Sequence, residues 1–73
     1  MAALPVVSGR DAVKAFQRLG WTVARQSSSH IIMVHPDHMA TLSIPDHNEV
    51  AKGTLRSLIR HADLTVDEFV AAL

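Results

Sequence analysis

The chain has no cysteine. That excludes a disulfide framework and every thiolate metal site, and it fits a reducing compartment. Net charge is also missing, because seven Lys and Arg balance seven Asp and Glu. A neutral total argues against a protein that coats nucleic acid by bulk charge. No apolar run approaches the roughly 18 residues that a bilayer span needs, so no membrane association is expected. Residues 1–7 lack a basic stretch followed by a long apolar one and do not read as a secretory leader. Repeats, low-complexity tracts and linkers are absent. The 73 residues, 1–73, are expected to form a single cytoplasmic domain. A core of that size is modest, which leaves room for a partner or a second copy, a homo-oligomer, to supply part of the stability.

The charges are segregated along the chain. In residues 1–30, Arg10, Lys14, Arg18 and Arg25 stand against Asp11 alone; in residues 52–60, Lys52, Arg56 and Arg60 have no acid among them. The acids gather at Asp37, Asp46 and Glu49, and again at Asp63, Asp67 and Glu68. Such a distribution permits a basic face on a neutral protein.

Apolar periodicity divides the chain into six elements. Ser8 is an N-cap for a helix running from about Gly9 to Leu19, and Asp11 three residues on approaches the capping-box pattern. Ala12, Val13, Phe16 and Leu19 form one stripe, with Arg10, Lys14, Gln17 and Arg18 opposite. Gly20 supplies the stop. Residues 21–25 alternate as a strand, residues 26–29 are turn-prone, and His30 to His35 form a second strand that is apolar on both faces. Pro36, Asp37 and His38 signal a turn, Ala40 to Ile44 a third strand, and 46–50 a loop. A second helix spans about Lys52 to His61, with Leu55, Leu58, Ile59 and Ala62 inward and Lys52, Arg56 and Arg60 outward. Thr65 and Glu68 form a capping box for a short last helix. Helix, three-stranded antiparallel meander, helix and short helix predict a two-layer α+β sandwich, an order shared with double-stranded-RNA-binding domains.

Three chemistries are open to these residues. Ser28 and Ser29 adjoin His30, but adjacency does not place a hydroxyl on an imidazole, and the serine run reads as a hairpin turn. His35, His38 and His47, with Asp37, offer metal-ligand types at a spacing that straddles a turn; the plainer reading is a pair of solvated turn histidines and no metal. His30 leaves a polar loop and enters an apolar strand, where its ring can be partly walled from water and still reach a groove. Histidine titrates near neutrality and suits proton transfer. RNA cleavage needs little more, since the 2′-OH is a built-in nucleophile. By position alone, a strand-end histidine with a structural hydrogen bond is the commoner outcome.

Gly20-Trp21 after a basic helix, then Arg25 to His30, His35-Pro36-Asp37, Ile44-Pro45-Asp46-His47, Lys52-Gly53-Thr54-Leu55-Arg56 through Ala62, and Leu64 to Phe69 stand in the order found in HicA-type mRNA interferase toxins. The chain resembles that family from about Ser8 to Leu73, most specifically at Lys52 to Arg56. Ser28 stands where the family pattern has the glycine of Gly-Ser-His. The resemblance implies a fold like that of double-stranded-RNA-binding domains and a metal-independent mRNA endoribonuclease without cofactor. It also implies a HicB-type antitoxin partner, and His30 as the catalytic histidine. With mRNA as substrate, Arg25 and Ser29 are expected beside His30 on the hairpin. Lys52 and Arg56 are expected to hold phosphate where the second helix begins. The alternative is a non-catalytic RNA-binding module that grips by shape. A third reading, compatible with the first, is an interaction protein whose uncovered sheet face takes a partner.

Overall fold

Ser8 begins the first helix as expected. In the computed structural model, which describes residues 3–73, its hydroxyl accepts the Asp11 N–H at 3.1 Å and α1 spans Gly9–Arg18. Met1 and Ala2, which open the stretch read as lacking a leader, lie outside the described residues. Ala12, Val13, Ala15 and Phe16 are buried, and Arg10, Lys14, Gln17 and Arg18 are exposed. The helix ends where Gly20 adopts a φ of +99°. Gly20 N–H bonds the Gln17 carbonyl and Trp21 N–H the Phe16 carbonyl, the paired bonds of a Schellman stop. α2, Lys52–His61, ends in the same way with Asp63 at a φ of 59°, Asp63 N–H on Arg60 and Leu64 N–H on Ile59. An aspartate tolerates the left-handed region better than most residues. α3, Val66–Ala71, has both halves of the Thr65–Glu68 capping box.

β1 (Thr22–Gln26), β2 (His30–His35) and β3 (His38–Pro45) form an antiparallel sheet in the order β1-β2-β3. Ile31 and Met33 of β2 and Leu42 and Ile44 of β3 are buried. Strand alternation therefore puts His30, Ile32 and Val34 on the opposite, open face. α1 packs against β1 and β3, α2 against β3, and α3 against both helices. The result is the expected two-layer α+β sandwich. Phe16, Trp21 and Phe69 are at most 1% exposed, and burial of each contributes about 2–3 kcal/mol. The Phe16 and Phe69 rings meet at 5.1 Å, which locks α3 onto α1. Among the described residues no helix is long and apolar enough to cross a membrane.

Three details depart from the sequence expectation. β3 begins at His38, two residues before the expected start at Ala40, because β2 and β3 pair down to the His35–His38 rung. Between that rung and Met33–Leu42 a single β2 residue faces three of β3, an irregularity that leaves Met39 fully exposed. Leu4, Val7 and Val50, in segments read as irregular, are buried in the core. Val50 N–H bonds the Val7 carbonyl at 2.8 Å, so the residues before α1 and the loop before α2 hold each other against the same core.

Gly9 and Gly53 make opposite demands. A Cβ on Gly9 would run into the Pro45 carbonyl, whereas one on Gly53 meets nothing within 4 Å. Gly9→Ala is expected to lower unfolding free energy by about 1–3 kcal/mol through overpacking, more than the roughly 1 kcal/mol alanine gains in helix propensity. Gly53→Ala is expected to raise it by about 0.4–1 kcal/mol. Urea denaturation of both variants beside the parent checks the two signs.

Candidate functional site

The turn between β1 and β2 is built from serines. Ser27 N–H bonds the His30 carbonyl at 2.9 Å. The Ser27 hydroxyl accepts the His30 N–H at 3.1 Å and donates to the His30 carbonyl at 3.2 Å. Ser28 stands where the family pattern has glycine, yet Asp63 is the one non-glycine of positive φ among the described residues. The hairpin therefore closes without the left-handed geometry that favours glycine. The Ser29 carbonyl accepts the Asp46 N–H at 2.9 Å, which ties the turn to the end of β3.

His30 emerges from this turn half-buried, paired with Pro45. Its Nδ1 lies 3.0 Å from the Ser29 hydroxyl. Ser29 therefore lies beside His30, and its hydroxyl reaches the ring, which adjacency in sequence alone did not require. No carboxylate bonds the ring, so the orienting acid of a serine triad is missing among the described residues. Nε2 has no hydrogen-bond partner among them. If Ser29 donates to Nδ1, Nε2 carries the proton; if Nδ1–H donates to Ser29, Nε2 presents a lone pair.

The remaining predicted residues divide between the two layers. Arg25 is exposed on β1 opposite Ile32, on the open face and diagonal to His30 two residues along β2, where such neighbours lie about 7–8 Å apart. Lys52 and Arg56 are exposed on α2, in the helix layer. No hydrogen bond or ion pair joins either to His30. Hydrogen bonds from Asp46 to Ser29, from Gly9 to His47 and from Val50 to Val7 bring the start of α2 to the sheet end that carries the serine turn. α2 is also the one described helix without a side-chain N-cap or an acid in its first turn. Its first N–H groups are open, and their partial positive charge is unopposed. Arg60 and His61 occupy the last turn, where cations complement the opposite end of the dipole.

Two residues beside the turn escaped the sequence reading. Arg10 Nε lies 3.7 Å from the Asp46 carboxylate, with the arginine side chain 79% exposed. Such a pair adds little stability, but it holds a cation next to the residue that bonds Ser29. Only the shared position of Gly9 and Asp46 at the two chain joints could have suggested it.

The three histidines weighed as metal ligands are not brought together. His35 and His38 pair at the far hairpin, while His47 follows the other end of β3, roughly 20 Å away at about 3.3 Å per residue. Among the described residues no group of three or more metal-capable side chains occurs. His35 and His38 are not solvated turn residues either. His38 stacks on Trp21 at 5.4 Å, and His35 meets the same ring edge-on at 5.3 Å. His35 Nδ1 accepts the Asp37 N–H at 3.0 Å.

Compared with known families, residues 9–64 match the one described as the HicA toxin of bacterial toxin–antitoxin. The match runs from the first residue of α1 to just past α2 and stops short of the 65–69 stretch that also carried the resemblance. No curated protein matches the chain.

Ser29→Ala tests what the hydroxyl does for the ring. The variant is expected to lose no more than about 1 kcal/mol of stability, as one exposed hydrogen bond is removed. The Nδ1–H to Nε2–H tautomer ratio of His30, read from ring nitrogen chemical shifts, is expected to move while that of His35 stays fixed. An unchanged His30 ratio means Ser29 does not set the tautomer.

Proposed function

The chain belongs to the HicA toxin family of bacterial toxin–antitoxin systems, and from that premise we propose that it is a metal-independent endoribonuclease that cleaves mRNA through His30. The observation that carries the reading is the His30 ring. Its Nδ1 is engaged by Ser29 at 3.0 Å, and on the open sheet face Nε2 has no hydrogen-bond partner among the described residues. In strand cleavage the 2′-oxygen bonds to phosphorus as the bond from phosphorus to the 5′-oxygen breaks. One proton leaves the 2′-oxygen and one reaches the 5′-oxygen, giving a cyclic phosphate and a free 5′-OH. His30 performs one of these transfers, as base from its neutral form or as acid from its charged form. Arg25 and Ser29 border the reacting phosphate, and Arg10 adds a cation at the same turn. Lys52, Arg56 and the open N–H groups of α2 hold phosphate further along the strand.

A HicB-type antitoxin is the proposed partner. Val34 is 38% exposed on the open face, and Ile32 lies beside it, so the sheet offers apolar surface next to His30. A protein seated there excludes mRNA, through an interface of at least about 1,000 Å².

His30→Ala is expected to abolish cleavage and growth inhibition with the circular dichroism spectrum unchanged, and parent activity is expected to persist in excess EDTA. A variant that cuts at the parent rate removes His30 from the chemistry, and one that binds RNA without any parent cleavage to lose favours the shape-reading module. Chelator-sensitive cleavage restored by a divalent ion defeats metal independence.

Replacing Lys52 and Arg56 together by alanine is expected to weaken RNA binding and flatten its salt dependence. The log–log slope falls by about 0.7 for each phosphate of a single strand that the protein no longer neutralises. A titration at four or five salt concentrations reads the slope; one equal to the parent's marks the two cations as solvated surface.

A further inference from the structure

The two edges of the sheet are not equivalent. β3 has an irregular middle, where one β2 residue faces three of its own, and ends in Pro45. β1 carries a bulge between Val23 and Arg25 and packs one face on α1, yet it has no proline and no lysine, and all five of its residues are exposed. Natural sheets usually blunt or cover an edge of that kind. Beside β1, between it and α1, runs a groove of about 290 Å³. Val13 and Ile31 form its buried floor, and Val23, 41% exposed, its strand-side wall. Arg10 and Lys14 stand on the helix side, and no acidic residue lines it. Lys14 has no carboxylate partner among the described residues, and Arg25 adds a third cation on the strand's other, open face.

We infer that the β1 edge with this groove receives an extended, acidic segment of the antitoxin, which joins the sheet as a fourth strand. The inference rests on the proposed reading that a bound antitoxin neutralises the chain. Main-chain hydrogen bonds to β1 give such a segment its hold, and its alternate side chains fill the groove. On the helix side, apolar ones meet Val13, Val23 and Ile31 and carboxylates meet Arg10 and Lys14; the side chains between them, on the open face, bring a carboxylate to Arg25. The shape suits a peptide better than RNA: the floor is aliphatic, and no aromatic ring lines it for a base to stack on. A second copy of this chain fits poorly, because a two-fold pairing of β1 with itself opposes the same cations. Position gives the contact its consequence. β1 runs into Ser27–Ser29, so a strand added along it ends beside His30.

The test uses the full chain with the protein encoded beside its gene, free and in complex. Hydrogen exchange of the amides of Thr22–Gln26 is expected to slow at least tenfold in the complex. Lys14→Glu is expected to melt like the parent when free and to bind the antitoxin at least tenfold more weakly. If the complex forms with β1 exchange unchanged and Lys14→Glu binds as tightly as the parent, the edge is not the contact, although the antitoxin reading survives. If the neighbouring protein does not bind the parent, that reading fails and takes this inference with it. If a non-cleavable RNA oligonucleotide slows these amides and the antitoxin does not, the edge is an RNA groove and the inference is overturned.

Discussion

The site depends on the seating of α1 against the end of β3. Gly9 lies so close to the Pro45 carbonyl that no side chain fits between them, and its N–H bonds the His47 carbonyl at 2.9 Å. That closeness fixes where β3 stops and where 46–50 begins. Asp46 then reaches the Ser29 carbonyl with its N–H and Arg10 with its carboxylate, while Val50 turns back onto Val7 and releases the chain into α2. The serine turn, His30 and both helix starts are thereby held at one end by main-chain bonds. Main-chain bonds suit such a joint because they tolerate little slack, whereas the side-chain pair of Arg10 and Asp46 is exposed and contributes little to holding it.

Local regularity made most of the fold legible in the sequence. β2 and α2 follow from period, and α1 and α3 from caps as well, because Ser8, Gly20, Thr65 and Glu68 each satisfy a helix end by a bond within a few residues. Leu4, Val7 and Val50 were not legible, since an isolated apolar residue in an irregular segment has no period to mark it as core. The same holds for Trp21 with His35 and His38. Their stacking depends on the hairpin pairing at its last rung and on the sharp turn at Gly20, which together bring residues over a dozen positions apart onto one ring. In the candidate site, Ser29 and His30 are neighbours in sequence and remain so in space. Arg25 was expected beside His30, but the bulge between Val23 and Arg25 that sets which face it takes leaves no mark in the sequence. Arg10 was hidden because its significance comes from Asp46, across the fold.

Charge distribution matters more here than the neutral total. α1 and α3 place acids in their first turns, and both have side-chain caps. α2 starts bare after Ala51, with Lys52 as its first residue. A lysine at a helix start is unfavourable by a few tenths of a kcal/mol against the dipole, and no cap offsets it. An anion supplied from outside reverses both terms: it accepts the open N–H groups and neutralises the lysine. The local cost in the free protein is thus of a kind that phosphate binding removes, which is why the proposed function places phosphate at the start of α2 and not at Arg60, whose place in the last turn is already favourable.

On the proposed function, substrate and antitoxin draw on overlapping cations. Arg25 serves phosphate on the open face and a carboxylate at the β1 edge, and Arg10 stands between the two. Neutralisation then needs no conformational change, since occupancy of shared charges and steric cover of His30 are sufficient. The same contact acts on stability. A domain of this size buries only around 60% of the surface its unfolded chain exposes, so its fold has little surplus. A partner present at a hundred times its dissociation constant adds about 2.7 kcal/mol by mass action. In that reading, the binding that covers His30 also adds to the stability of the fold, and a chain that loses its partner is at once uncovered and more readily unfolded.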